Sequence, residues 1–63
     1  MSDKPKVKLI GEDGNIFNLV SIASKALKRN HQHDNANKMQ REVFNSNSYD
    51  EALQVLMKYC EVE

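Results

Sequence analysis

Three stretches of this 63-residue chain carry side chains that could do chemistry. Gly11-Glu12-Asp13-Gly14-Asn15 brings three oxygen-bearing side chains close together, a grouping that suggests a cation. It lacks the Asp-x-Asp-x-Asp-Gly spacing and the distant bidentate Glu of an EF-hand. It also lacks the Lys and Ser/Thr of a phosphate loop, and its own carboxylates would repel phosphate. The stretch therefore reads as a turn leading into a helix cap, with Gly14 expected at positive φ. His31-x-His33 would share one side of an extended segment, but no Cys or carboxylate pair at ligand spacing accompanies it, so it reads as a polar link. Cys60 falls on an apolar helix arc with no base near it in sequence, which describes a core thiol and not a nucleophile. None of Ser21, Ser24, Ser46 and Ser48 sits in a nucleophile motif. With no acid–base pair, nucleophile–base set or ligand cluster to assemble, the expectation is a chain that is not an enzyme and takes no metal or cofactor.

The elements that must position these residues follow from hydrophobic spacing. Val7-Lys8-Leu9-Ile10 is a short β-type run after a Pro-containing tail over residues 1–5. Beyond the turn, a hairpin strand would need period two. Instead Ile16, Leu19, Val20, Ile22, Ala23, Ala26 and Leu27 fill an arc of about 160° at helical spacing. The spacing predicts a helix over 16–29, capped by Asn15 and ended by Asn30. A weaker stripe of Ala36, Met39 and Val43, with Phe44 at its edge, predicts a second helix over 34–44, capped by Asp34 or Asn35. Ser48-Tyr49-Asp50-Glu51 is a capping box. The helix it opens, 49–60, has an apolar arc of about 200°, wide enough to touch more than one neighbour. The tail Glu61-Val62-Glu63 alternates and could pair with the first strand. The fold class is thus α+β, mainly α, in one small domain: an N-terminal strand, three helices and a possible C-terminal strand. Its expected core is Val7, Leu9, Ile16, Val20, Ala23, Leu27, Met39, Val43, Leu53, Leu56 and Cys60.

Composition narrows the function classes. Nine Lys+Arg balance nine Asp+Glu, so no global field draws the chain to nucleic acid or membrane. Apolar residues at 40% and charged residues at 29% describe a globular chain. There is no secretory apolar run and no bilayer-length segment, and a single Cys forms no internal disulfide, which together suggest a cytoplasmic protein. Charge is nonetheless uneven. Residues 21–41 hold five cations against Asp34, and residues 42–63 hold five acids against Lys58.

The opening Val7-Lys8-Leu9-Ile10-Gly11-Glu12-Asp13-Gly14-Asn15-Ile16-Phe17, followed by Ala26-Leu27, resembles that of a family of very small uncharacterised bacterial and phage proteins. Tyr49-Asp50, Leu53 and Tyr59-Cys60-Glu61-Val62 are similar to that family's C-terminal Leu-rich helix and tail, with Cys60 where Val is commoner. Residues 30–44 do not match. The resemblance implies a phage or mobile-element origin and brings no activity with it.

The functional expectation is a non-enzymatic protein-interaction module, in keeping with a regulator or inhibitor of a host protein. Phe17 lies about 60° outside the apolar arc of its helix. It either packs on the turn and the third helix or stands as an exposed anchor for a partner. Ile22, Val55 and Tyr59 lie at the margins of their arcs and could form one patch, buried in a homodimer or covered by the second helix or the Val62 tail. The alternative function is accessory nucleic-acid binding, with Lys25, Lys28 and Arg29 against phosphates.

Overall fold

Asn15 starts the first helix as its spacing requires. In the computed structural model, which describes residues 4–9, 11 and 13–63, helix α1 runs Ile16–Arg29. The Asn15 side chain accepts a hydrogen bond from the Phe17 N–H at 2.9 Å, while Asp13 Oδ1 accepts from the Asn15 N–H at 3.1 Å. Asp13 is therefore used in building the helix entry. Glu12 lies outside the described residues. The left-handed glycine of this turn is Gly11, at φ 88°, and not Gly14. A Cβ on Gly14 would meet the Tyr49 hydroxyl at 3.6 Å, an ordinary contact, so the expectation of a special backbone at Gly14 is corrected.

The exit of α1 explains why helix α2, His33–Phe44, starts one residue earlier than its stripe suggests. The Gln32 N–H donates to the Leu27 carbonyl at 2.8 Å and the His31 N–H to Lys28 at 3.1 Å, the paired bonds of a Schellman closure. The Gln32 carbonyl in turn accepts from the Ala36 N–H at 3.0 Å, so one residue closes α1 and opens α2. Gln32 is the N-cap, with no side-chain cap bond, in place of Asp34 or Asn35. Asp34 falls in the first turn, where its charge suits the helix dipole. The closure holds His31 at φ 60°, a conformation that costs an L-residue roughly 1–2 kcal/mol. His31→Gly should therefore stabilise the chain by about 0.5–1 kcal/mol, the backbone entropy of glycine offsetting part of the gain. A raised denaturant midpoint at unchanged slope would show this, whereas a lowered midpoint would mean that the turn needs the imidazole.

Helix α3 runs Tyr49–Tyr59. The Ser48 hydroxyl accepts from the Glu51 N–H at 3.1 Å. Glu51 Oε2 reaches back to the Asn47 N–H at 2.6 Å, one residue upstream of the box's usual target. Cys60 leaves the helix in extended conformation (φ −133°, ψ 153°), one residue before the predicted end, because the chain turns there into a strand. That strand, β2 (Glu61–Val62), pairs in parallel with β1 (Lys6–Val7), in register Lys6 with Glu61 and Val7 with Val62. Bonds from the Glu61 N–H to the Pro5 carbonyl, Glu63 to Val7 and Leu9 to Glu63 extend the ladder. The strand read over Val7–Ile10 is thus shorter and begins earlier, since only two residues of β2 face it; Ile10 lies outside the described residues.

Helix α2 packs on both other helices and the sheet closes one side. Eight of the eleven expected core residues are buried, while Leu9, Ile16 and Leu53 are half-buried around them. Leu19, Ala36 and Ala52 complete the core. Ser24 is the one buried polar residue among the described residues, and its hydroxyl accepts from Gln40 Nε2 at 2.8 Å. No described helix is long and apolar enough to cross a membrane.

Candidate interaction surface

The three-residue link makes α1 and α2 an antiparallel pair, so the start of one lies beside the end of the other. Phe17, the second residue of α1, and Phe44, the last of α2, meet there with ring centroids 5.9 Å apart and planes tilted by 40°. Both stay in solvent, at 64% and 60% exposure. The first alternative for Phe17, packing against the turn and α3, is corrected: its ring contact is with α2. Helical geometry accounts for this, since Phe17 points to the flank of α1 that carries Ser24 and Lys28, and that flank faces α2.

The aromatic pair forms a ridge between two hollows. One, of about 330 Å³, is walled by Ile16, Val43, Ser48, Tyr49 and Ala52. The other, of about 310 Å³, runs along the helix pair past Ser21, Gln40, Lys25 and Lys28. Both are at the low end of the ~300–1,000 Å³ typical of ligand pockets. Among the described residues no carboxylate lines either hollow. The Tyr49 hydroxyl donates to the Gly14 carbonyl, which ties the start of α3 to the turn before α1 and fixes that end of the surface.

Ile22, Val55 and Tyr59 are each half-buried against the core. Ile22 lies two residues before Ser24, about 200° round α1, and therefore on the flank turned away from α2. Val55 lines a cleft between α2 and α3, and the Tyr59 hydroxyl bonds to Glu42 of α2. Their equal angular margins do not translate into one common patch, because the two helices present those margins on opposite sides of the bundle. Lys25 and Lys28 line the second hollow, while Arg29 is exposed and lines neither. Sequence reasoning missed Phe44 and Tyr49 as surface aromatics. The available signal was that Phe17 sat outside its stripe and Phe44 at the edge of its own, at adjoining ends of consecutive helices.

The α2–α3 cleft, of about 470 Å³, is the larger; of the three charged residues lining it, Glu42 and Lys58 pair with each other and Glu51 accepts from the Asn47 N–H. The Glu42 carboxylate takes the Lys58 ammonium at 3.0 Å and the Tyr59 hydroxyl. These bonds, Tyr59's foremost, hold the Glu42 carboxyl below its ordinary 4.5. The bond to Glu42 pushes Tyr59 above its ordinary 10.0 and Lys58 above 10.5. A lowered carboxyl stabilises the fold above its free titration range and loses that contribution as pH falls through its folded value. The raised Tyr59 and Lys58 contribute below their ordinary values and lose it as pH rises through the raised ones. The melting temperature should therefore hold through neutrality, dip below about pH 4, and dip again above about pH 10. Glu42→Gln should flatten the acid dip, and an identical acid profile in that variant would assign the dip to other carboxylates.

The remaining candidates take structural places. Cys60 is 1% exposed, its Sγ 3.9 Å from the Ala23 carbonyl, and burial pushes its thiol up. His31 closes α1 and His33 begins α2. No group of three or more His, Cys, Asp or Glu among the described residues is placed to hold a metal. Compared with protein-family models, curated proteins and solved structures, the chain matches none.

Proposed function

We propose that this chain is a non-enzymatic protein-interaction module that takes its partner on the Phe17–Phe44 face. The observation that carries this reading is the aromatic ridge itself. Two phenylalanines in contact, each more than half exposed, form a contiguous apolar patch on a chain with little core to spare. Aromatic side chains held against one another and flanked by hollows are the usual anchors of binding surfaces. In keeping with the resemblance of its opening to small phage proteins, the partner class is a host protein that the chain regulates or inhibits. A second reading has its own support: Lys25 and Lys28 beside exposed rings would suit single-stranded nucleic acid, with bases stacked on the phenylalanines and phosphates on the lysines.

The test compares the wild type with Phe17→Ser/Phe44→Ser, both tagged, for capture from host lysate. Proteins retained by the wild type and lost by an equally stable variant support the module. An identical set on both, or none, overturns it. Titration with a labelled oligothymidylate decides the second reading, which predicts binding that falls steeply with salt and weakens when Lys25, Lys28 and Arg29 become Gln.

A further inference from the structure

We propose that the Asp13–Gly14 link is a self-modification site: in the folded chain the Gly14 nitrogen closes on the Asp13 side chain to a succinimide, which water opens to isoaspartate. The site does not depend on the Phe17–Phe44 face and follows from how the entry to α1 is built.

Three features of that entry meet the needs of the ring closure. The Asp13 carboxyl must lie towards the backbone that follows it, and the bond from the Asn15 N–H to Asp13 Oδ1 at 3.1 Å holds it there. The attacking nitrogen must be open. Gly14 carries no Cβ, is exposed, and its N–H makes no hydrogen bond among the described residues. That nitrogen must also lose its proton, and the charge then spreads onto the Asp13 carbonyl oxygen of the same peptide group. This oxygen accepts from Asn18 Nδ2 at 3.1 Å, a donor fixed on the first turn of α1 where the charge develops. Asp34 and Asp50 lack this setting. Each stands in the first turn of a helix and precedes a residue with a Cβ, Asn35 or Glu51, and the Glu51 N–H is engaged by the Ser48 hydroxyl.

The only co-reactant is water. The bond from the Gly14 nitrogen to Asp13 Cγ forms as the Cγ–O bond of the protonated carboxyl breaks, and the N–H proton leaves with the hydroxyl as water. A second water then adds to one of the two ring carbonyls. Opening at Cγ restores aspartate. Opening at the main-chain carbon leaves Gly14 attached through Cγ, which is isoaspartate. The product has one more carbon in its main chain and its carboxylate on Cα, so the Oδ1 bond to the Asn15 N–H is lost. The entry to α1 is thereby loosened, next to the Gly14 carbonyl that Tyr49 holds.

Incubating the full chain in heavy-oxygen water, at neutral pH and body temperature for several weeks, tests the proposal. Each ring opening leaves one heavy oxygen at Asp13, and a proteolytic map separates the isoaspartyl peptide from the aspartyl one. Label and isoaspartate should accumulate there, at least as fast in the folded chain as in urea. Gly14→Ala, whose Cβ meets only the Tyr49 hydroxyl at 3.6 Å, should stay folded and lose most of the label, because the Cβ hinders the nitrogen. Asn18→Ala should slow uptake several-fold while the chain stays folded. Asp13→Asn keeps the Oδ1 acceptor and, releasing ammonia in place of water, should react faster. The isolated isoaspartyl chain should melt below the unmodified one. Absence of label at residue 13, uptake faster in urea than in the folded chain, or label at Asn47 with none at Asp13 overturns the proposal. Equal uptake in the wild type and Asn18→Ala overturns the part given to Asn18, and equal melting of the two forms overturns the link to the helix entry.

Discussion

Leu56→Ala should leave a large fraction of the chain unfolded at 25 °C. Leu56 has no exposed surface, and with Leu27 of α1, Met39 of α2 and Cys60 at the turn into β2 it is one of the four largest fully buried side chains. Each comes from a different part of the chain, so the centre of the core is the place where all the elements depend on one another. Removing a buried leucine's outer atoms costs about 2–5 kcal/mol, because the surroundings relax only in part. A domain of this length has roughly 3–9 kcal/mol in total. The loss is thus comparable to the whole stability. Leu53→Ala, three residues earlier on the same helix, is the control: Leu53 is only half-buried, and its truncation should shift the denaturant midpoint by much less. Equal shifts for the two variants would show that α3 is free to rotate and that its wide apolar arc does not select one seating.

The contrast between those leucines also marks how far the sequence reaches. Helix α1 was legible to the residue because two independent signals coincide there: the Asn15 cap and a stripe with few exceptions. The same holds for the start of α3, where Ser48 and Glu51 announce the turn, and for the β1–β2 pairing, where the tail alternates. What periodicity could not settle was depth. Leu9, Ile16 and Leu53 were expected in the core for being large and apolar, yet they line its margin, and Ala36 and Ala52 were passed over although both are buried. An alanine within an apolar stripe looks weak as a hydrophobe, but where two helices cross closely the small residue is the one that fits. The N-cap of α2 was hidden for another reason. Gln32 has no capping preference of its own and is placed there by the closure of the preceding helix.

The Phe17–Phe44 face was half legible. Phe17 stood out alone as an apolar residue off its stripe, and its partner did not, because which flanks of two helices face each other depends on the crossing. The same missing knowledge joined Ile22 to Val55 and Tyr59. A shared angle on two helical wheels says nothing about a shared side of the bundle until the packing fixes the third dimension.

That dependence of the surface on the α1–α2 crossing yields the second large effect. Ala36→Leu should cost about 1–3 kcal/mol and should also disturb the aromatic ridge at the opposite end of α2. Ala36 has no exposed surface and sits in the first turn of α2, where its N–H donates to the carbonyl of Gln32, the residue that also closes α1. Three added carbon atoms have no void to enter, so either the leucine takes a strained rotamer or α2 moves off α1. The Schellman closure pins the near end. A tilt about that point is therefore magnified along α2, which rises about 12 Å over the eight residues from Ala36 to Phe44. The Ser24–Gln40 bond, midway along, should break first. Thermal melting together with nuclear Overhauser contacts between the Phe17 and Phe44 rings reads both consequences. Loss of ring contacts at a modestly lowered melting temperature would show a pivoting helix, and destabilisation with the contacts intact would show that the strain is absorbed locally and that the ridge is independent of the junction. Ala36→Ser, nearly the same size, should leave the ridge in place, so a loss of ring contacts in that variant would point to polarity and not volume as the cause.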